Sequence, residues 1–332
     1  MRAVVWQLLL GYLPCSHEER GQELVLQRGK YHQLVQEMYP RLSPSQEELA
    51  DTEAANPLWD LIRVDVIRTF PAGMEDLFAN EVIRRCLCRI LYIYSTVSQK
   101  GNYWQGLNEI PVPFLINFFS FYAGCSLREL NAVSSEGIEM ALSSGNVEAD
   151  VFWCVTRFVG GLQLRGEYVI GKNGSICEKE ILQRFETLCL MADPELVGNL
   201  AEKGVEFIFF AFRWMICLLT RELPITAISR LWDSYIAEGE NVVSFHLYTT
   251  LSFLLSFSSD IKACQTFDQT LMFIQRIPAS HWTEAHAEFL VRCATKVKQL
   301  DSFYQQRATP AAAYVIVAAF SAASLVVRDE LL

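Results

Sequence analysis

At Ser43-Pro44, Asn56-Pro57 and Asp193-Pro194 a small polar residue stands directly before a proline. Each pair reads as a helix start. The polar side chain accepts from an otherwise unpaired N–H of the first turn, and proline, which has no N–H to lose, suits the first helical position. Ser43-x-x-Gln46 and Ser126-x-x-Glu129 add capping-box spacing. Pro71, Gly239 and Pro278 mark stops. No stretch sustains period-two alternation with hairpin signals, so the pattern predicts an all-α fold. A chain of 332 residues exceeds one compact core, and two lobes are expected, about 1–150 and about 151–300.

Residues Val205 to Thr220 are apolar nearly all round, which predicts a central core helix. A membrane span is the alternative, but the run is short and carries Arg213. Phe245–Phe257 and Phe267–Ile277 read as further packed helices. The polar, Gly/Ser-containing stretches Ser134–Asp150 and Arg165–Glu180 read as loops or connectors. No repeat of fixed period argues for a solenoid.

Composition narrows the function. Apolar residues make up 51% of the chain, which excludes disorder as its main state. The formal net charge of −10 argues against nucleic acid as a partner and against a polybasic membrane patch. The ten cysteines include no C-x-x-C pair; Cys86 and Cys88 are C-x-C. Most lie in apolar helical runs, as buried reduced thiols of a cytoplasmic protein would. The chain carries no H-E-x-x-H, no glycine-rich phosphate loop and no G-x-S-x-G. No metal site and no self-contained hydrolase or kinase is expected. No signal peptide opens the chain.

Two segments hold polar residues in unusual company. In Ile62-Arg63-Val64-Asp65-Val66-Ile67-Arg68-Thr69-Phe70-Pro71, Asp65 and Arg68 stand three apart just before the proline, a spacing at which the carboxylate can hold the guanidinium. In Tyr103-Trp104-Gln105-Gly106-Leu107-Asn108-Glu109-Ile110, the glycine permits close backbone approach. Taken singly, the first is the pattern of a surface helix pair and the second of a turn.

Taken together, Ile62-x-x-Asp65-x-x-Arg68 and Tyr103-x-Gln105-Gly106 resemble, in order and separation, the two signature motifs of the TBC domain of Rab GTPase-activating proteins. Arg2-x-x-x-Trp6-x-x-Leu9-Leu10-Gly11-Tyr12-Leu13-Pro14 is similar to the family's opening helix. Glu148-Ala149-Asp150-x-Phe152-Trp153-Cys154 is similar to its mid-domain helix. Phe212-Arg213-Trp214, Arg221-Glu222-Leu223-Pro224, Arg230-Leu231-Trp232-Asp233 and Ile277-Pro278-x-x-His281-Trp282 are similar to its C-terminal half. The likeness runs from residue 1 to about 300 and is strongest to the Golgi-associated branch.

The resemblance implies a two-lobed, V-shaped helical domain and a protein that completes the active site of a GTP-bound Rab rather than an enzyme in itself. Arg68 would stabilise charge on the transferring phosphoryl group. Gln105 would hold the attacking water. Asp65 would orient Arg68 and the nearby backbone. Ile62, Asp65, Tyr103 and Gly106 would support the fingers or meet the Rab. Arg213, Trp214, Glu222, Trp232 and Asp233 would fix the helices of the second half. GTP and Mg²⁺ would belong to the partner, with no cofactor of this chain's own. The implied setting is vesicle traffic, in the cytoplasm at endomembranes. The alternative is a TBC fold that binds a Rab as a scaffold without accelerating hydrolysis.

Three features depart from the family pattern. The chain opens inside the first shared motif, so an upstream turn of helix is expected. Trp104 is larger than the residue usual before the glutamine, which is expected to shift Rab preference. Glu109 stands where the Golgi branch tends to carry Asp. Beyond the shared region, Ala308 to Val327 are 20 residues without a charge. Their spacing fits a docked helix and their length a bilayer anchor, and an extension is the third reading.

Overall fold

In a computed structural model, the structure describes residues 1–39, 56–98, 103–164 and 178–305. Among these the secondary structure is helical and no strand forms. The chain divides into two compact units, Met1–Ile176 and Cys177–Leu332. The division therefore falls later than the expected 150.

The first unit contains α1 (Arg2–Leu9), α2 (Arg20–Met38), α3 (Pro57–Ile67), α4 (Glu75–Ala79), α5 (Glu81–Val97), α6 (Pro111–Ala123), α7 (Ser135–Leu142) and α8 (Asn146–Leu164). Asn56 caps α3, its side chain accepting from the Trp59 N–H, with Pro57 at the first position. The region 134–150, expected as a connector, instead holds α7 and the start of α8, with Ser134 accepting from the Gly137 N–H as the cap of α7. Serine and glycine there are helix-start chemistry rather than loop composition. Ser126 does pair with Glu129, donating to its carboxylate through the hydroxyl at 2.7 Å and the backbone N–H at 2.8 Å, but the pair opens onto a 3-10 turn, Leu130–Ala132, and not an α-helix.

α8 is the organiser of this unit and the reason the boundary lies beyond it. It packs against α2, α5 and α6, and its two acidic residues each clamp several elements. The fully buried carboxylate of Asp150 accepts from Arg28 through both oxygens (2.8 Å each), from Tyr12 (2.7 Å), from Tyr122 (2.9 Å) and from Gln7 (3.1 Å). Glu148 accepts from Tyr31 and, through both oxygens at 2.5 Å, from Arg89. Burying these charges is tolerable only because each oxygen is paired. Burial, then the neighbouring carboxylates, push the Tyr12 and Tyr31 phenols above their ordinary range, so both remain donors.

The second unit contains α9 (Glu178–Ala192), α10 (Pro194–Glu202), α11 (Ala211–Ile216), α12 (Ile225–Glu238), α13 (Val242–Leu255), α14 (Ser258–Ala263), α15 (Phe267–Gln275) and α16 (Glu284–Gln305). Its core forms where α16 packs on α12 and α13. Asp193 caps α10 by accepting from the Leu196 N–H at 2.9 Å. The helices expected at 245–257 and 267–277 are present as α13 and α15.

The continuous helix expected over Val205–Thr220 is not. That run is a 3-10 turn (Phe207–Phe209), the six-residue α11 and a turn in which Leu218 and Leu219 take left-handed backbone with φ of 48° and 58°. A left-handed conformation costs a non-glycine residue about 1–2 kcal/mol, and burying a leucine side chain returns about 1.5–3 kcal/mol. Both leucines are fully buried. A run that is apolar at every position reports burial but carries no period, so it could not distinguish one helix from a broken one.

Among the described residues no helix is long and apolar enough to cross a membrane. The tail over 308–327, the cap at Ser43 and residues 165–177 lie outside the described residues. None of the nine described cysteines forms a disulfide, and Cys86, Cys88, Cys154, Cys189, Cys217 and Cys293 are buried.

Candidate functional site

Arg68 is the C-terminal cap of α3, where the helix ends before Pro71. Its backbone N–H closes the last turn on the Asp65 carbonyl at 3.0 Å, and its side chain is exposed. Gln105 is exposed too, in the turn preceding the 3-10 segment Leu107–Glu109. Gly106 comes next with φ of 101°, a conformation that strains any residue with a Cβ. Among the described residues neither the Arg68 nor the Gln105 side chain has a hydrogen bond or ion pair, so both end groups face outward uncommitted.

Beneath them the two segments are bonded to each other. The Tyr103 hydroxyl donates to the Asp65 carboxylate at 2.8 Å, and both residues are buried. Burial, then the hydrogen bond and charge of Asp65, push the Tyr103 phenol above its ordinary range, which keeps it a donor. Thr69, fully buried, donates to the Asp65 carbonyl at 3.0 Å and accepts from the Asn108 side-chain amide at 3.0 Å. The Asn108 carbonyl oxygen accepts from the Gly106 N–H at 3.2 Å.

The Asp65 carboxylate turns inward and accepts from Tyr103 and not from the Arg68 guanidinium, while the Asp65 backbone carbonyl accepts from the Arg68 N–H. Ile62 is fully buried in α3, and Asp65, Tyr103 and Gly106 are buried as well. All four lie behind the exposed end groups of Arg68 and Gln105. Thr69 and Asn108 lie inside the two segments singled out, but sequence reasoning gave them no role. Their signal was present, since each adjoins a motif residue, but which polar groups pair across 39 residues is not written locally.

The residues singled out in the second half lie in the second unit. Arg213 donates to both oxygens of Glu222 (2.8 and 3.0 Å) and to the Gln275 carbonyl (3.2 Å), tying α11 to α15. Burial pushes the Glu222 carboxyl above its ordinary value while Arg213 draws it down. Trp214 and Trp232 are fully buried, Trp214 against Phe210 and Phe253 and Trp232 near Tyr235. Asp233 is half-buried on α12 beside Trp232. Among the described residues no cluster of His, Cys, Asp and Glu converges as a metal site would.

In the first, all-helical unit the exposed end groups of Arg68 and Gln105 stand on two segments that are bonded together from behind. A family model for the Rab-GTPase-TBC domain matches residues 1–262, and the chain belongs to that family. It is 33% identical over 308 residues to the GTPase-activating protein gyp1 of Schizosaccharomyces pombe, a match covering 91% of this chain and 55% of that protein. It is 31% identical over 300 residues to TBC1 domain family member 22B of Homo sapiens, covering 90% and 56%. The crystal structure of the Ypt/Rab-GAP domain of Gyp1p superposes with a TM-score of 0.76 at 29% identity, covering 90% of this chain and 88% of that one. The chain spans about half the length of the curated relatives it matches.

Proposed function

We propose that this protein is a GTPase-activating protein for a Rab-family GTPase in its GTP-bound state. Arg68 neutralises charge developing on the γ-phosphoryl group, and Gln105 orients the attacking water in place of the GTPase's own glutamine. The observation that carries this reading is the pair of exposed, uncommitted end groups on two segments bonded beneath the surface. The segment that carries the arginine is apolar where it is exposed: Leu61, Val64, Ile67 and Phe70 are each 43–47% exposed on and just after α3. Such a patch beside a charged group suits a docking partner better than water. GTP and Mg²⁺ come with the Rab, and this chain supplies no cofactor. Likeness to the Golgi-associated branch supports a role in vesicle traffic at endomembranes, where the Rab or residues 308–327 would hold the protein.

An arginine finger is worth about 10³–10⁵ in rate, or about 4–7 kcal/mol of barrier. Single-turnover GTP hydrolysis across a panel of Rabs, with wild type, Arg68→Ala and Gln105→Ala, tests the reading. At least one Rab is expected to respond to wild type and to lose most of that response with either variant. If wild type accelerates none, or if both variants match it, the protein is instead a scaffold.

A further inference from the structure

The two proposed fingers share a problem. Each ends in solvent, and among the described residues nothing holds either side chain directly. Yet the reaction assigned to them needs a guanidinium and a carboxamide at one phosphoryl group at once, and a displacement of about 1 Å at such a site can cost about 100-fold in rate. Their placement must therefore come from the backbone.

We infer that Thr69 and Asn108 are the positioning residues that set Gln105 against Arg68, an inference that rests on the GAP reading above. Thr69 is the residue after Arg68, and Gly106 is the residue after Gln105. Asn108 lies between them: its amide nitrogen donates to the Thr69 hydroxyl at 3.0 Å, and its carbonyl oxygen accepts from the Gly106 N–H at 3.2 Å. Two hydrogen bonds thus span the gap between the two finger backbones.

The groups leave no freedom in this bridge. The Gly106 N–H can only donate, so the Asn108 oxygen must face it. The second amide hydrogen of Asn108 goes to the Glu109 carboxylate at 3.1 Å, which fixes the same orientation. Thr69 spends its own hydrogen on the Asp65 carbonyl, so it is left as an acceptor toward Asn108. All three residues are buried (Thr69 fully, Asn108 and Glu109 at 6% and 3% exposure), so water does not compete for these bonds. Tyr103–Asp65 ties the same segments from the other end, but it meets Gln105 two residues upstream and through a side chain. The Asn108 bridge reaches the peptide that Gln105 itself shares.

The test uses the full chain and a Rab that responds to wild type. Thr69→Val keeps the shape and removes the hydroxyl, Asn108→Asp replaces the bridging amide nitrogen with oxygen, and Thr69→Ser restores the hydroxyl. Thr69→Val and Asn108→Asp are expected to lower kcat of stimulated hydrolysis 10- to 100-fold with KM for the Rab within threefold of wild type. Thr69→Ser is expected to stay within threefold of wild type in both. Hydrogen exchange of the Gly106 amide, read in the same proteins, is expected to quicken at least tenfold in Thr69→Val and not in Thr69→Ser. The kcat is taken per folded protein, from circular dichroism of each variant, because a merely structural role would lower apparent kcat at unchanged KM only through the folded fraction and would leave kcat per folded protein as in wild type. Unchanged kcat in Thr69→Val, or a loss carried wholly by KM, overturns the positioning role while wild-type activity stands. Wild type inactive on every Rab overturns the GAP reading itself.

Discussion

Tyr103→Phe removes one oxygen and leaves the ring in place, so it asks how much a single phenol matters beneath the site. In the structure that hydroxyl donates at 2.8 Å to Asp65, whose residue exposure is 8%. A hydrogen bond to a charged acceptor contributes about 1.5–3 kcal/mol, and losing it leaves the carboxylate desolvated without this donor. The variant is therefore expected to be destabilised by about 2 kcal/mol. At a urea m-value of about 2 kcal/mol/M, that moves the first unit's midpoint down by about 1 M. Urea unfolding followed by circular dichroism reads this directly. A double-mutant cycle with Asp65→Asn isolates the pair, and a coupling of about 1–2 kcal/mol is expected for groups in contact. The same variant should lower stimulated GTP hydrolysis less than Arg68→Ala does, because the phenol supports the loop and does not touch the phosphoryl group. A coupling energy below about 0.5 kcal/mol would show that the bond is not a determinant of this junction and refute the reasoning.

Three further outcomes are expected. Asp150→Ala strips the acceptor from four side chains and should cost about 3–5 kcal/mol, as breaking a buried ion pair does; thermal melts of wild type and variant check it, and a loss under about 1 kcal/mol would contradict the clamp assigned to α8. Gly106→Ala forces a Cβ into left-handed backbone and should cost about 1–2 kcal/mol together with a drop in stimulated hydrolysis, measured by the same melts and by single-turnover assay. His246 sits between the Tyr235 hydroxyl (2.7 Å) and the Trp214 carbonyl (3.1 Å), and burial pushes it down to about 3. The carbonyl can only accept, so Nε2 carries the proton and the folded ring is neutral. Below the ordinary value of 6.5 the unfolded chain binds a proton that the folded chain refuses. Stability from this group is thus complete above pH 6.5 and falls by about 1.4 kcal/mol per pH unit down to about pH 3. Urea unfolding at about pH 7.5 and about pH 5.0 should show wild type losing about 2 kcal/mol more than His246→Gln; equal losses would refute it.

Much of the helix plan was legible because its signals are local. Asn56 and Asp193 cap helices whose first N–H groups lie within three residues of them, and Gly239 and Pro278 stop helices that end beside them. The position of Arg68 at a helix end followed from Pro71 in the same way. The break inside 205–220 was not legible, because an unbroken apolar run has no phase. Nor was the helical content of 134–150, where serine and glycine looked like loop and prove to be caps and helix starts.

The sequence by itself determined an all-helical chain, the places where most of its helices begin and end, and the two short motifs that carry the proposed chemistry. Tertiary structure decided which groups meet. Asp65 faced a choice between Arg68, three residues away, and Tyr103, 38 residues away, and it bonds Tyr103. Asp150 draws on partners up to 143 residues distant. Local rules reach about one helical turn, whereas a buried carboxylate takes whatever donors packing brings to it once water is gone. That is why the motifs could be read in advance and the hydrogen bonds that hold them could not.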